Sequence, residues 1–592
     1  MSSFWKSVLA TILGIIILVA VTSLVCCVGV VGSIASGSAA PSIKSNSVMV
    51  LNLSGTLTER SSENPMDLFT GNGTSMGLDV VLNSIKKAKG NDDIDGIYIE
   101  VGAFSPDSWA SVQAIHDALA DFKKSGKWIV SYADNYDQAS YYLATAGTSI
   151  FLNPNGSLDW HGIGSQPMLL KDMLAKFGVK VQLAKVGTYK SAPEMFVADK
   201  MSDANREQIT DYITSIWNHV LADVSKSRKI SADSLNAYAD NLITFADQHD
   251  YISKKLIDKL LYADEAVKEI KKMLGIDEDD DINQVTYTDV NNLESDDEGD
   301  EIAVYYAYGD IVQTETESSL LGGGGEMIVG ANVVKDLASL ANDENIKAVV
   351  IRVNSGGGSA YASEQIWRAV EQLKKEKPVV VSMGGMAASG GYYMSCNSNW
   401  IVAEPTTLTG SIGIFGMFPD FSELVTQKLG VKFEEVKTNK NSTFGNLMAR
   451  SFNEEEMSML DKYIQRGYEL FLKRVGGGRG MTRDQVDSIA QGHVYTGERA
   501  IQLKLVDQLG TLDDAVAKAA KLAKIDEYYT SDYPAQKEWF ETLFDKANGS
   551  NTILDEQMQS TLGEFYSPFM MIRNIRNQSA VQARLPYVMN MN

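Results

Sequence analysis

The sequence predicts an α/β protein made by tandem duplication of one βα unit, with a single transmembrane helix ahead of the first copy. Three observations predict it. Strand-like apolar runs alternate with helical periodicity through the first half, which calls for a mostly parallel sheet covered by helices. The same order returns in the second half with many of the same residues, the mark of a copied unit. Ahead of both, Ser7 to Ile43 carries no charged residue.

That uncharged stretch comes first. Val8 to Ile34 is mostly Leu, Ile, Val, Ala and Gly, longer than the about 20 residues a helix needs to cross a bilayer. A cleaved signal peptide is the rival, with Gly37-Ser38-Ala39-Ala40 as its small-residue site. Its apolar region usually runs only about 7–15 residues, so the stretch reads as an uncleaved anchor with residues 7–34 in the membrane. Lys6 and the N-terminal amine precede the span, which puts the N-terminus in the cytoplasm and the body on the far side.

In the first copy, Val48 to Leu57 reads as a strand running into a glycine turn, and Leu78 to Ala88 as a helix. Ile94 to Val101 is a strand, Ser108 to Ser125 a helix, and Trp128 to Ser131 a strand leading to a helix that holds Tyr141-Tyr142. In the second copy Val381-Ser382 repeats Val130-Ser131 at an offset of 251, Tyr392-Tyr393 repeats Tyr141-Tyr142, Pro405 repeats Pro154, and Gly413-Ile414 repeats Gly162-Ile163. With one gap Leu429 to Lys432 repeats Phe177 to Lys180, and upstream Ile346 to Val353 lies over Ile94 to Val101. The expected divisions are 1–44 for anchor and linker, 45–290 and 291–545 for the two copies, and 546–592 for an extension. In that extension Phe565 to Arg573 is too short an apolar run to span a membrane and is expected to pack on the body. Asp277 to Glu301, rich in Asp and Glu and without the spacing of a calcium loop, reads as a solvated linker.

Composition narrows the function. The net charge is −23, which leaves nothing to displace counterions from phosphate and argues against nucleic acid. Three cysteines, two of them in the anchor, make neither a disulfide framework nor a metal cluster; Cys396 reads as a small buried hydrophobe.

The densest chemical signal is Ser382 to Met394, S-M-G-G-M-A-A-S-G-G-Y-Y-M, behind the β-branched run Pro378 to Val381. Small residues around Ser389 leave room for a peptide backbone, and Gly390 can offer its N–H to an oxyanion; a plain tight turn reads the same way. A second glycine turn, Asn354 to Ser359, ends a strand and opens a helix. It lacks the phosphate-loop and dinucleotide spacings, so it fits an oxyanion hole made of Gly357 or Gly358 with Gly390. None of His116, His161, His219, His249 and His493 sits in a comparable turn, and His493 is the least unlikely partner for a Ser-His arrangement. A lysine base is the alternative. Its ordinary pKa near 10.4 would have to fall to roughly 7–8, which burial supplies; Lys190, beside Val186, Gly187 and Tyr189, is the candidate, although a snorkelling surface lysine looks alike. The copies differ where this matters. Ser389 lies over Gln138, Gly356-Gly357-Gly358 over Phe104-Ser105-Pro106, and Lys190 over Ser442. Each copy keeps a different part, which reads either as drift in a duplicated scaffold or, more sharply, as a single active site divided between two halves.

The anchor, the duplication, Y-K-S-A-P-E at Tyr189 to Glu194, S-M-G-G-M-A-A-S-G-G at Ser382 to Gly391, G-S-I-G-I around Gly413 and the terminal Gln582 to Val588 together resemble the long form of the signal peptide peptidase A (protease IV) family. The resemblance implies a Clp-protease/crotonase-like fold and a serine–lysine dyad with Ser389 as nucleophile and Lys190 as general base. It also implies a homotetramer at the inner (plasma) membrane, its catalytic body on the periplasmic side, that degrades released signal peptides and other short apolar peptides without a cofactor or metal. Where that family usually has proline before paired glycines this chain has Gly356. Two other classes stand beside this reading: an acyl-CoA enzyme of the crotonase type, and a non-catalytic membrane scaffold.

Overall fold

A computed structural model describes residues 43–61, 75–294, 298–314, 326–535 and 581–584. The expected anchor and the Phe565 to Arg573 run lie outside the described residues. Among those described, no helix is long and apolar enough to cross a membrane.

The first copy is a parallel sheet. Its strands are β1 (Ser47–Thr58), β2 (Ile94–Ser105), β3 (Trp128–Tyr136) and β4 (Ser149–Leu158), interleaved with α1 (Leu78–Gly90), α2 (Trp109–Lys123) and α3 (Gln138–Thr145). They pair in the order β1-β2-β3-β4, all parallel. Ser108 caps α2 and Asp137 caps α3, each accepting an otherwise unpaired N–H of the first turn. A lone strand, β5 (Lys180–Val186), then leaves this body, and α4 (Asp203–Arg228) returns to it. Part of the acidic stretch is not a linker. Residues 283–286 form β6 (Asn283–Thr286), which adds to β1, and a short helix follows over Tyr287–Asn291. Val285, Tyr287 and Val290 are its apolar residues and pack on the first core, which outweighs the surrounding charge.

The second copy repeats the plan. Its elements are β7 (Asp300–Tyr308), β8 (Asp310–Val312), α5 (Gly330–Asn342), β9 (Ile346–Ser355), β10 (Gly357–Ser359), α6 (Ala360–Glu376), β11 (Val379–Ala388), α7 (Gly390–Ser395) and β12 (Trp400–Ala403). β7, β9 and β11 are parallel neighbours, with β12 and β13 (Leu408–Gly410) both on β11. β11 runs to Ala388 rather than stopping near Val381. Glycine here serves close approach, not a turn: a Cβ on Gly384 would collide with the Glu59 carboxylate of the first copy, and one on Gly385 would meet Ser108.

Two joints weld the copies. The first is a buried ion pair. Arg352 on β9 donates Nε to Glu59 Oε2 at 3.0 Å and Nη2 to Oε1 at 3.2 Å, and Nη1 reaches Ser382 Oγ at 3.0 Å. Asp107 lies beside it, its carboxyl pushed up to about 6 by burial and the nearby Glu59 charge. The second is an exchanged strand. β5 of the first copy runs antiparallel to β14 (Ile414–Asp420) of the second, in register from Val186 opposite Ile414 to Lys180 opposite Asp420. This small sheet has the order β8-β10-β17-β14-β5, where β17 is Val581–Arg584; β15 (Val494–Thr496) and β16 (Tyr528–Tyr533) edge the second copy's main sheet.

Candidate active site

β11 delivers Ser389 to a sharp turn before α7. Its φ of +56° with ψ of −111° is a strained conformation for a residue with a side chain. The turn is held by Ser389 N–H donating to Gly410 O at 2.8 Å and Tyr393 N–H donating to Ser389 O at 2.7 Å. The residues around the hydroxyl are small because little else fits. A Cβ on Gly390 would stand 2.6 Å from Ser363 Oγ, and one on Gly391 would stand 2.6 Å from Ser355 O.

Lys190 arrives from the other copy, just past β5. It is fully buried. Nζ lies 2.7 Å from Ser389 Oγ, 2.9 Å from Ser411 Oγ and 3.0 Å from Ser411 O. Burial alone drives its pKa well below the usual lysine value, with no neighbouring charge contributing. Nζ thus lies within hydrogen-bond reach of three oxygens, those of Ser411 and the Ser389 hydroxyl, and of no carboxylate. Ser411 was missed from the sequence, although its motif, G-S-I-G-I, was noted for Gly413. Its own φ is +49°, and this turn aims both of its oxygens at the amine.

The lysine is clamped from several sides. Tyr189 N–H donates to Gln491 O at 2.8 Å, a Cβ on Gly492 would meet Lys190 Cβ at 2.7 Å, and one on Gly413 would meet Lys190 Cδ at 3.2 Å. Gln208, buried on α4, donates to Tyr189 O at 3.0 Å and Ser191 Oγ at 2.8 Å, and its Oε1 accepts from Val494 N–H at 3.2 Å. It therefore ties the lysine segment to Val494, the first residue of β15, just after the turn that holds Gln491. Gln208→Leu is expected to lower kcat about 10–100-fold with little change in KM and to displace the acid limb of the pH–rate profile. Steady-state kinetics across pH checks it; an unchanged profile with only reduced thermal stability would reduce Gln208 to packing.

The glycine turn of residues 354–359 meets the serine turn. Gly357 at φ +100° packs on Gly390, where a Cβ would stand 2.7 Å from the Gly390 nitrogen, whereas Gly358 packs on Ile311. Gly357 is thus the glycine that shares the serine's space, and in this state its N–H donates to Ser355 Oγ at 3.1 Å. Gly356 is not among the positive-φ glycines. His493 stacks between Tyr189 and Tyr495, and its Nδ1 pairs with Val494 O at 2.9 Å. Its contribution near the serine is a main-chain oxygen, which accepts Ser411 N–H at 2.7 Å. Cys396 is buried, with its thiol pushed up to about 12 by burial.

The counterparts have been put to other use. In the first copy Gln138 opens α3 where Ser389 opens α7; its Oε1 accepts His161 and Gly162 N–H at 3.0 and 2.9 Å. In the second copy Ser442 lies exposed, bonded to Asn439 N–H at 3.0 Å within its own loop.

Peptidase family S49 matches this chain over residues 121–277 and 371–526, once in each copy. A CoA-ligase description matches 262–405, a stretch that crosses from one copy into the other and covers neither. Protease 4 of Salmonella typhi is 38% identical over 81% of this chain and 78% of its own length. Protease 4 of Haemophilus influenzae is 35% identical over 75% and 72%, and the chloroplastic serine protease SPPA of Arabidopsis thaliana is 29% identical over 82% and 70%. Among solved structures, ClpP1 from Listeria monocytogenes is 16% identical over 36% of this chain and 92% of that one, at a TM-score of 0.23, too low to carry an argument. On the two family matches and the length of these alignments, the chain belongs to peptidase family S49 and is a serine protease in tandem-repeat form.

Proposed function

We propose that the chain is a membrane-anchored serine endopeptidase with Ser389 as nucleophile and Lys190 as general base, acting on released signal peptides and other short apolar peptides. The observation that carries this reading is the buried amine 2.7 Å from the strained serine hydroxyl with no carboxylate to hold its charge. In acylation Ser389 Oγ attacks the peptide carbonyl while Nζ takes the hydroxyl proton, and the oxyanion is received by Gly390 N–H together with Gly357 N–H, which must turn from Ser355 Oγ to reach it. Nζ then returns the proton to the leaving amine. The same lysine deprotonates a water that releases the acyl group.

The anchor is residues 7–34, with the body periplasmic, and the fold is of the Clp-protease/crotonase kind. A homotetrameric ring is supported by one feature of the repeat. Lys432 to Thr438 is the second copy's counterpart of β5, yet it lies outside any strand with Val436 95% exposed. The first copy's counterpart of β14, residues 163–169, is likewise in no strand. Pairing the two between neighbouring chains repeats the β5–β14 joint head to tail.

The test is labelling with a serine-directed acylating probe and peptide mapping. The expected result is a single adduct on Ser389, lost in Lys190→Met and competed by an apolar peptide. A wild-type protein that is folded, turns over that peptide and carries no Ser389 adduct removes the reading. Protection of the fold by CoA in a melting experiment would favour an acyl-CoA enzyme instead.

A further inference from the structure

A short segment of the chain's own C-terminal region lies against the site. β17 runs antiparallel to β10, setting Arg584 opposite Gly357, Ala583 opposite Gly358 and Gln582 opposite Ser359. On its other edge it runs antiparallel to β14, setting Gln582 opposite Phe415 and Val581 opposite Gly416. It therefore fills the slot between the glycine turn and the strand that follows Ser411. The Ala583 carbonyl oxygen is the part that crowds the two glycines. A Cβ on Gly357 would collide with it, and one on Gly390 would stand 3.1 Å from it.

A peptide to be cleaved must bring its scissile carbonyl to these same two glycines. β17 thus traces how an extended peptide is held: main chain by strand addition on both edges, Ala583 in the position whose carbonyl is attacked, Arg584 on the leaving-group side. The Arg584 side chain reaches across Gly357, which has none, to Asp310 on β8. Its Nη2 lies 2.7 and 2.9 Å from the two carboxylate oxygens, and the two side chains are only 6% and 15% exposed. A charge-assisted contact sheltered from water is the strong kind, and it stands one residue past the attacked carbonyl.

We propose that Asp310 is a specificity residue of the peptidase, taking a basic side chain, arginine foremost, on the residue that immediately follows the cleaved bond. The proposal rests on the Ser389–Lys190 reading for where that bond lies. It adds to an apolar acyl side a preference on the leaving side, and it makes acidic leaving segments poor substrates.

The test uses full-length wild type, Asp310→Asn, Asp310→Lys and Arg584→Ala. Each is given peptides identical save for Arg, Ala or Glu after a cleaved alanine, with the cut read by mass spectrometry. Wild type is expected to favour Arg over Ala by about tenfold in kcat/KM, and over Glu by more. Asp310→Asn should bring the three within about twofold, and Asp310→Lys should favour Glu. Loosening of β17 in these variants opens the slot to all peptides alike, so the ratio within each variant is the readout. Arg584→Ala loosens the same strand while leaving Asp310 in place, and it should keep the arginine preference. Binding of the labelled peptides to Ser389→Ala gives the same ratio without turnover. Equal use of Arg and Ala peptides by wild type, or a preference that survives Asp310→Asn, overturns the proposal and leaves Asp310 as a clip for the chain's own strand. An arginine preference in binding with no cleavage by wild type upholds Asp310 and overturns the dyad.

Discussion

Ser389→Ala, Lys190→Met and the double variant are expected to lose kcat by one common factor, about 10³-fold or more, because in the proposed dyad nucleophile and base act as a unit and either loss empties the same step. KM should move little. The pH dependence has a definite sign. Burial holds the Lys190 pKa well below the lysine range, so activity falls as pH drops through that lowered value and the amine takes a proton, and it levels off above. The same burial opposes stability. In the unfolded chain at neutral pH the lysine is charged, and folding must strip its proton; that penalty shrinks as pH rises toward the ordinary lysine pKa. Lys190→Met should therefore be more stable than wild type by about 1–2 kcal/mol at neutral pH, and the gain should narrow in alkaline solution. Peptide turnover and denaturant unfolding at several pH values check both. A Lys190→Met that melts below wild type at pH 7 would contradict the buried neutral amine.

Arg352→Met is expected to be the most destabilising single change outside the hydrophobic cores, at about 3–5 kcal/mol. The Arg352 and Glu59 side chains are 4% and 2% exposed, so removing the guanidinium strands a buried carboxylate beside Asp107. Adding Glu59→Leu should recover most of the loss, since a buried pair replaced whole by apolar groups costs little. Because this pair sits between the copies, the single variant should also lower kcat while Ser389 and Lys190 remain in the chain. Urea unfolding of the two singles and the double gives the coupling energy directly; additive losses would mean that the pair is not the joint it is taken for.

The parallel sheet, the duplication and the two residues that the structure brings together, Ser389 and Lys190, were legible because each has a local signature. β-branched runs mark β1, β2, β9 and the start of β11; the recurring Tyr-Tyr and Gly-Ile pairs mark the repeat; and the crowd of small residues marks Ser389. Three features were not legible, and for one shared reason: they depend on contacts between residues far apart in the chain. The extension of β11 through Gly384 and Gly385 needs Glu59 and Ser108 from the other copy. Ser411 acquires its place only when Lys190 is brought to it across 221 residues. Gln208 looks like any polar helix residue until its amide is found between Tyr189 and Val494. The acidic stretch misled for a different reason. Charge density is easy to read, and the few apolar residues at 285, 287 and 290 that dock it are easily outvoted.

Gln138 bonded to the main chain of His161 and Gly162, and Ser442 turned out into its own loop, have a consequence for how such a gene can change. Each copy has spent the position that would let it work alone, one on an internal amide bond and one on a surface excursion. A deletion of either half, or a conversion of one half to the sequence of the other, would remove a residue that no longer has a duplicate. On the proposed dyad the two halves can therefore only be inherited together.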